Sequence, residues 1–123
     1  MKIRLDDPVA EYIIRSYGQG QVVVNGETYT RSLIVMPNRL ITDWPPQCFD
    51  DLAAAHFEHL ATYPVDVVLL GTGGRLRFPS RAVLSPLDQR GIGVEVMDTG
   101  AACRTYNLLI AERRNVAAVL LMI

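Results

Sequence analysis

The sequence predicts an α/β fold: a three-layer domain with a mixed, mostly parallel sheet flanked by helices, preceded by an N-terminal β-hairpin or meander. Two observations predict it. The first third of the 123-residue chain carries short β-rich runs separated by glycine turns, which is typical of antiparallel strands. The remainder alternates apolar runs with helix-like segments, and connections of that length permit parallel strands joined by right-handed crossovers. Since no repeat, linker or low-complexity segment divides the chain, we expect residues 1–123 to form a single domain.

The N-terminal elements follow from turn chemistry. Strands are predicted at Tyr12–Tyr17 and Gln21–Val24. The Asn25-Gly26 pair that follows is a strong hairpin signal, because both residues tolerate positive φ. Ser32–Met36 is predicted as an apolar strand, and Leu40–Trp44 as a connector or an edge strand.

A first helix is predicted over Gln47–Thr62. Asp50 and Asp51 lie near its expected start, where carboxylates interact favourably with the positive end of the helix dipole. Apolar residues recur there at helical spacing and predict one buried stripe. That stripe consists of Phe49, Leu52, Ala53, His56, Phe57 and Leu60.

The C-terminal half alternates strands and helices. The predicted strands are Val65–Leu70, Ile92–Met97 and Val116–Met122. The first of these is apolar except for Asp66, as expected of a central strand that is covered on both faces. Helices are predicted over Pro79–Gln89, where Pro86 interrupts the helix or starts a second turn, and over Gly100–Arg114. Asp98 or Thr99 should cap the second of these helices.

Composition excludes several function classes. Half of the residues are hydrophobic, a fifth are charged and the net charge is −1, which argues against an extended nucleic-acid-binding surface. Lys2 is the only lysine. No internal lysine is therefore available to hold a triphosphate or to form a Schiff base. We expect no nucleic-acid partner.

Cysteine content and hydropathy predict the compartment. Two cysteines, Cys48 and Cys103, are too few for a disulfide framework. The first residues lack the apolar core of a signal peptide, and no apolar run approaches transmembrane length. We therefore expect a cytoplasmic protein that does not insert into a membrane.

The stretch VVLLGTGGRLRFP at residues 67–79 resembles the start of several nucleotide-binding loops. A dinucleotide fingerprint needs glycine where position 76 is Leu, and a P-loop needs lysine where position 75 is Arg. Two interpretations remain: a sharp structural turn, or an anion site built from loop amides and neighbouring arginines. The candidate ligand-binding residues are Gly71, Thr72, Gly73, Gly74 and Arg75, with Asp98 and Thr99 across the strand ends.

Metal and nucleophile signals are incomplete. His56 and His59 stand three residues apart on the first predicted helix, but zinc needs three or four ligands and no clear third is present. Cys103 falls on the apolar side of the last helix, which favours an inert buried thiol over a nucleophile. We expect no metal, no cofactor and no catalytic residue, and the sequence leans towards a non-enzymatic role.

The last predicted helix carries a second candidate surface. Arg104 and Asn107 share a polar stripe, and Leu108 stands among polar neighbours without an obvious core to enter. Isolated exposed apolar residues are common, so a solvated helix face explains the pattern. The functional alternatives are a partner surface formed by Arg104, Asn107 and Leu108, or a homo-oligomer that buries Leu108.

Residues from Leu69 to Leu121 resemble a small family of uncharacterised domains that includes mitochondrial NADH dehydrogenase assembly factor 3. The matching residues are Gly71-Thr72-Gly73 after an apolar strand, Asp98-Thr99 after Ile92–Met97, Ala102 with Arg104-Thr105-Tyr106-Asn107, and Glu112 with Arg114 before Val116–Leu120. The N-terminal hairpin fits the family more loosely.

The resemblance implies a compact domain with a mixed sheet and flanking helices. It implies function through contact with a protein partner, since the mitochondrial members act as assembly factors for respiratory complex I. Without a transit-like N-terminus, the chain is similar to bacterial or archaeal-type members. The family supplies no catalytic residues. The leading hypothesis is therefore a non-enzymatic interaction or assembly module, and the alternative is a small-molecule or anion-binding domain that uses Gly71–Arg75 and Asp98-Thr99.

Overall fold

A computed structural model describes residues 10–123, which contain eight strands and three α-helices. The strands are β1 (Ile14–Gly18), β2 (Gln21–Val24), β3 (Glu27–Tyr29), β4 (Leu33–Met36), β5 (Arg39–Ile41), β6 (Val67–Gly71), β7 (Gly93–Met97) and β8 (Val116–Leu120). The helices are α1 (Ala54–Leu60), α2 (Arg81–Gln89) and α3 (Thr99–Ala111), and a short 3₁₀ turn occupies Phe49–Asp51.

The strands form two sheets. β1, β2 and β3 make an antiparallel meander in which Asn25, at φ 54°, turns the chain between β2 and β3. This confirms the predicted hairpin. The second sheet has the order β5-β4-β8-β6-β7. β8, β6 and β7 run parallel to one another, whereas β4 and β5 join the sheet antiparallel. The sheet is therefore mixed, as predicted, and its parallel part is confined to three strands.

Alternating side chains of the larger sheet are buried on both of its faces. Val68 and Leu70 of β6 belong to an apolar cluster with Phe57 and Leu60 of α1. Leu69, between them, belongs to a second cluster that contains α3 and the small meander. Because residues along a strand alternate between faces, the sheet is the middle layer of three, and the predicted three-layer α/β fold is confirmed.

The predicted helix over Gln47–Thr62 is wrong in its first half. A 3₁₀ turn ends at Asp51, Leu52 and Ala53 are extended, and α1 begins only at Ala54. Two local bonds explain the break. An Asp51 carboxylate oxygen accepts from the Gln47 amide at 3.1 Å, and His56 Nδ1 accepts from the Ala53 amide at 3.0 Å. Side-chain bonds of this kind offer the backbone an alternative to continued helix.

Pro86 does not interrupt α2, which continues through it to Gln89. Proline lacks the amide that would bond the carbonyl four residues earlier. Here the Ser85 hydroxyl donates to that carbonyl, on Ala82, at 3.1 Å. The lost backbone bond is thereby replaced by a side chain, so the helix is not broken.

The start of α3 packs tightly on the sheet at Gly71, the last residue of β6. A Cβ atom there would lie 2.9 Å from Thr99 Oγ1, 3.0 Å from Thr99 Cα and 3.2 Å from Ala102 Cβ. Thr99 Cα and Ala102 Cβ belong to the first turn of α3, and their positions are fixed by the helix backbone. The start of α3 can therefore pack on β6 only because residue 71 has no side chain.

We predict that Gly71→Ala lowers the free energy of unfolding by about 1–3 kcal/mol, the usual effect of overpacking a core. The matched control is Gly74→Ala, whose Cβ would meet only an Ile123 methyl group at 3.4 Å, and which should change stability by less than about 0.5 kcal/mol. Urea unfolding of both variants measures the difference. Equal midpoints for the two variants would contradict the steric argument.

Cys103 lies on the buried face of α3, and Cys48 is exposed. Burial raises the pKa of the Cys103 thiol from 9.0 to about 12, with a smaller opposing effect from Arg104. At a pH between these two pKa values, the Cys103 thiol is deprotonated in the unfolded chain and protonated in the folded chain. Folding stability therefore falls as pH rises through this window, by up to about 1.4 kcal/mol per pH unit for one proton.

We predict that Cys103→Ala shows a shallower loss of stability between pH 9 and 11 than the unsubstituted chain, because alanine has no proton to lose. Cys48→Ala should retain the full slope. Urea unfolding at several pH values measures both slopes. If Cys103→Ala and Cys48→Ala lose stability equally steeply, the Cys103 thiol does not contribute to the alkaline dependence.

Candidate functional site

The glycine loop and the start of α3 lie side by side at the carboxyl ends of the parallel strands. Gly71 at the end of β6 is in register with Met97 at the end of β7, and Asp98 and Thr99 follow at once. The sequence-based prediction that the ends of these two strands are neighbours is confirmed. The structure thus brings the first candidate group, Gly71–Gly73, together with Asp98 and Thr99.

The Thr99 side chain joins three chain segments. Its hydroxyl accepts from the Gly73 amide at 2.8 Å and donates to the Leu121 carbonyl at 2.6 Å. Its own amide donates to the Gly73 carbonyl at 2.9 Å. The residue is fully buried, so these bonds have no competition from water. We call Thr99, Gly73 and Leu121 with their bonds the Thr99 joint.

The loop uses most of its polar groups internally. The Thr72 amide donates to the Met97 carbonyl at 2.9 Å, and the Thr72 hydroxyl donates to the Arg75 carbonyl at 2.6 Å while accepting from the Arg77 amide at 3.2 Å. Gly73 adopts φ +96°, which glycine reaches without strain. Within residues 10–123, the Gly74 and Arg75 amides are the two in this loop that donate no hydrogen bond to another protein group.

The first turn of α3 is capped and covered. An Asp98 carboxylate oxygen accepts from the Ala101 amide at 2.9 Å, so of the two predicted caps, Asp98 and Thr99, the structure has Asp98. The Tyr17 ring lies against Gly100, where an added Cβ would fall 2.7 Å from a ring carbon. The Tyr17 ring therefore packs against the first turn of α3.

Next to the loop is an open depression of about 260 Å³. Its lining includes the loop residues Thr72, Gly73, Gly74 and Arg75, together with Arg77. Cys48 and Met122 also line it. Of the candidate ligand-binding residues, Gly71, Asp98 and Thr99 are not part of this lining.

Beyond the loop, residues 74–80 run across the surface without regular structure, and we call them the exposed segment. Arg77 anchors it: its guanidinium lies 4.1 Å from the centre of the Phe49 ring and 3.4 Å from an Asp50 oxygen. The side chains before and after Arg77 reach solvent, with Leu76 exposed by 51% and Phe78 by 70%. Two large apolar groups are thus displayed on a fixed backbone.

Leu76 and Phe78 are not among the residues that the sequence predicts for a site. Apolar residues are normally assigned to a core, and the Arg-Leu-Arg-Phe-Pro run differs from a buried strand by its interleaved arginines and its final proline. The signal that could have identified Leu76 and Phe78 is Pro79 directly after Phe78, because proline cannot continue a strand ladder and favours an irregular segment.

The second predicted surface lies on α3, and its three residues have different surroundings. Leu108 is 68% exposed and Arg104 is exposed. The Arg104 guanidinium donates to the Tyr17 hydroxyl and lies 5.8 Å from the centre of that ring. The Asn107 amide is bonded to both backbone groups of Ile14, accepting at 3.1 Å and donating at 2.6 Å. Asn107 therefore holds β1 against α3, and Arg104 and Leu108 face solvent.

The two histidines of α1 have separate neighbours. His56 caps the helix and packs edge-on against Trp44, whereas the His59 ring lies 5.7 Å from that of Tyr63. Across residues 10–123, no three His, Cys, Asp or Glu side chains converge as metal ligands. In the same part of the chain, no helix has the length and apolar character needed to cross a bilayer.

Solved structures of similar fold come from several bacteria. A crystal structure of a Bordetella parapertussis protein is 34% identical, covers 94% of this chain and 98% of its own, and superposes with a TM-score of 0.85. An NMR structure of a Xanthomonas campestris protein is 37% identical over 98% of this chain and 92% of its own, with a TM-score of 0.83.

A sequence relative with a functional name comes from Xenopus tropicalis. That protein is named NADH dehydrogenase [ubiquinone] 1 alpha subcomplex assembly factor 3, and it is 31% identical over 96% of this chain. The chain spans 66% of the length of that relative. A family model described as "Protein of unknown function (DUF498/DUF598)" matches residues 14–121. Since the match extends over most of the sequence, the chain belongs to the DUF498/DUF598 family.

Proposed function

We propose that this chain is a non-enzymatic module that acts by binding a protein partner, as an assembly factor does. The observation that carries the proposal is the exposed segment, where Leu76 and Phe78 stand in solvent while Arg77 fixes the backbone between them. Burying large apolar side chains is the usual source of binding energy at protein interfaces. A fixed backbone reduces the entropy that is lost on binding.

The segment also indicates the chemistry of the partner. Arg75 and Arg81 flank the two apolar side chains, and both are exposed. A complementary surface would offer an apolar pocket for Phe78 with carboxylates around its rim, because charge complementarity steers association and excludes wrong partners. The name of the Xenopus relative supports an assembly role, and the free thiols Cys48 and Cys103 fit a reducing cytoplasm.

Arg104 and Leu108 on α3 form a second contact surface in this proposal, with Asn107 as the residue that positions it. Their exposure leaves them accessible, and α3 is held rigidly at its start by the Thr99 joint. Self-association through Leu108 is an alternative use of the same surface. Light scattering that shows a monomer at high concentration would exclude it.

We predict that the double variant Leu76→Ser, Phe78→Ser loses its partner, whereas Gln19→Ser, at another exposed position, retains it. Losing an apolar anchor weakens binding by about 2 kcal/mol or more, which is roughly 30-fold in Kd. Affinity capture from cells of the source organism, followed by quantitative mass spectrometry, measures the loss. Arg104→Ala with Leu108→Ser tests the α3 surface in parallel.

Circular dichroism and urea unfolding establish that each variant is folded, since all the substituted side chains reach solvent. The same set of proteins captured at the same yield by the Leu76/Phe78 variant and the unsubstituted chain would refute the exposed segment as the binding surface. Equal capture by the Arg104/Leu108 variant would refute the α3 surface.

Anion binding beside the glycine loop is the alternative function. The 260 Å³ depression and the unbonded Gly74 and Arg75 amides favour it, although the Gly73 amide is already bonded to Thr99. Inorganic phosphate should then shift the amide resonances of Gly74 and Arg75 specifically. Unchanged resonances for both amides at millimolar phosphate would argue against this function.

A further inference from the structure

A second cavity, of about 280 Å³, lies at the opposite edge of the sheet. It is bounded by the turn from β4 to β5, the residues before β6, and the chain between α3 and β8. These segments meet where the parallel strands begin, whereas the glycine loop lies where they end. We call it the amino-edge cavity. None of the residues proposed for the partner surfaces lines it.

The lining of this cavity combines an apolar interior with cations. Met36, Val65 and Ile110 contribute apolar surface, and Arg39, Arg113 and Arg114 contribute three guanidinium groups. None of the described lining residues is acidic. In the part of the chain that the structure describes, neither Arg39 nor Arg114 forms an ion pair with a carboxylate. Arg39 and Arg114 therefore bring positive charge to the cavity that its described lining does not neutralise.

Tyr63 supplies an aromatic wall with a fixed orientation. The Arg39 guanidinium lies 5.1 Å from the centre of its ring, and the His59 ring packs against it edge-on, with an angle of 89° between the planes. Cation–π contact places Arg39 at the cavity while leaving its N–H groups able to donate. A ligand carboxylate bound there would lie next to an apolar ring face.

The exit of α3 directs the consecutive residues Arg113 and Arg114 to this cavity. Arg113 adopts φ +60°, its amide donates to the Ile110 carbonyl at 3.0 Å, and the Arg114 amide donates to the Leu109 carbonyl at 3.0 Å. This is a Schellman motif, in which glycine normally occupies the left-handed position. An arginine in that conformation carries backbone strain of about 1–2 kcal/mol. The residue in this strained conformation is nonetheless a cationic arginine that lines the cavity.

We propose that the amino-edge cavity binds a small organic carboxylate of roughly ten non-hydrogen atoms, with its anionic head held by Arg39 and Arg114 and its apolar body in the interior. The size follows from the volume, because each atom of a condensed liquid occupies roughly the space of one water molecule, about 30 Å³. Guanidinium groups bind carboxylates through paired charge-assisted hydrogen bonds. The site is independent of partner binding at the exposed segment.

Octanoate, with ten non-hydrogen atoms, is the probe, and 1-octanol and inorganic phosphate are its neutral and purely anionic counterparts. In an amide NMR titration, octanoate should shift the resonances of Arg39, Val65 and Asn115, all of which line the cavity. Octanol and phosphate at the same concentration should shift them much less. Equal shifts with octanol would show that the arginines do not recognise the carboxylate. Equal shifts with phosphate would show that the apolar body does not contribute to binding. Either result would overturn the proposal.

The matched variants are Arg39→Gln with Arg114→Gln, and the control Arg81→Gln at the other edge of the sheet. All three arginines are exposed, so the substitutions should not affect folding. The double variant should bind octanoate at least tenfold more weakly, and the control should bind it as the unsubstituted chain does. No saturable shift at millimolar octanoate, or an unchanged Kd in the double variant, would overturn the site.

Discussion

The Thr99 hydroxyl is the polar contact on which the arrangement of this domain depends. It bonds the glycine loop after β6 and the chain after β8, while its own backbone begins α3. A buried hydroxyl that lost either partner would leave a polar group unsatisfied, which costs about 1–3 kcal/mol per group. Gly71 makes this contact reachable, because any side chain there would collide with the first turn of α3. Three parallel strands and one helix are thereby held at a common point.

The same joint limits which polar groups of the glycine loop remain open to a ligand. Since the Thr72 and Gly73 amides are bonded inside the protein, the glycine loop has little left to offer a phosphate. The chain that leaves the loop is held by Thr72 and Arg77 and displays Leu76 and Phe78. Cationic and apolar side chains line a cavity at the far edge of the sheet instead. We therefore propose protein contact at the carboxyl edge and ligand contact at the amino edge.

Features that depend on residues close together in the sequence, such as helix caps and turns, could be predicted from the sequence. Asp98 caps α3 because a short acceptor before a helix bonds its free amides, and the Asn25 turn follows from its tolerance of positive φ. The ends of β6 and β7 could be placed together because parallel strands share an edge. Features that depend on distant contacts were not predictable in this way. The Thr99–Leu121 bond spans 22 residues and the Asn107–Ile14 pair spans 93.

Hydrogen exchange of the loop amides tests the Thr99 joint most directly. If the joint holds the fold together, the Gly73 amide opens only when the domain unfolds, and the neighbouring Gly74 and Arg75 amides exchange freely. With a global stability of about 5 kcal/mol or more, Gly73 should then exchange roughly three orders of magnitude more slowly than Gly74, after correction for intrinsic rates. A Gly73 amide that exchanges as fast as that of Gly74 would contradict this account.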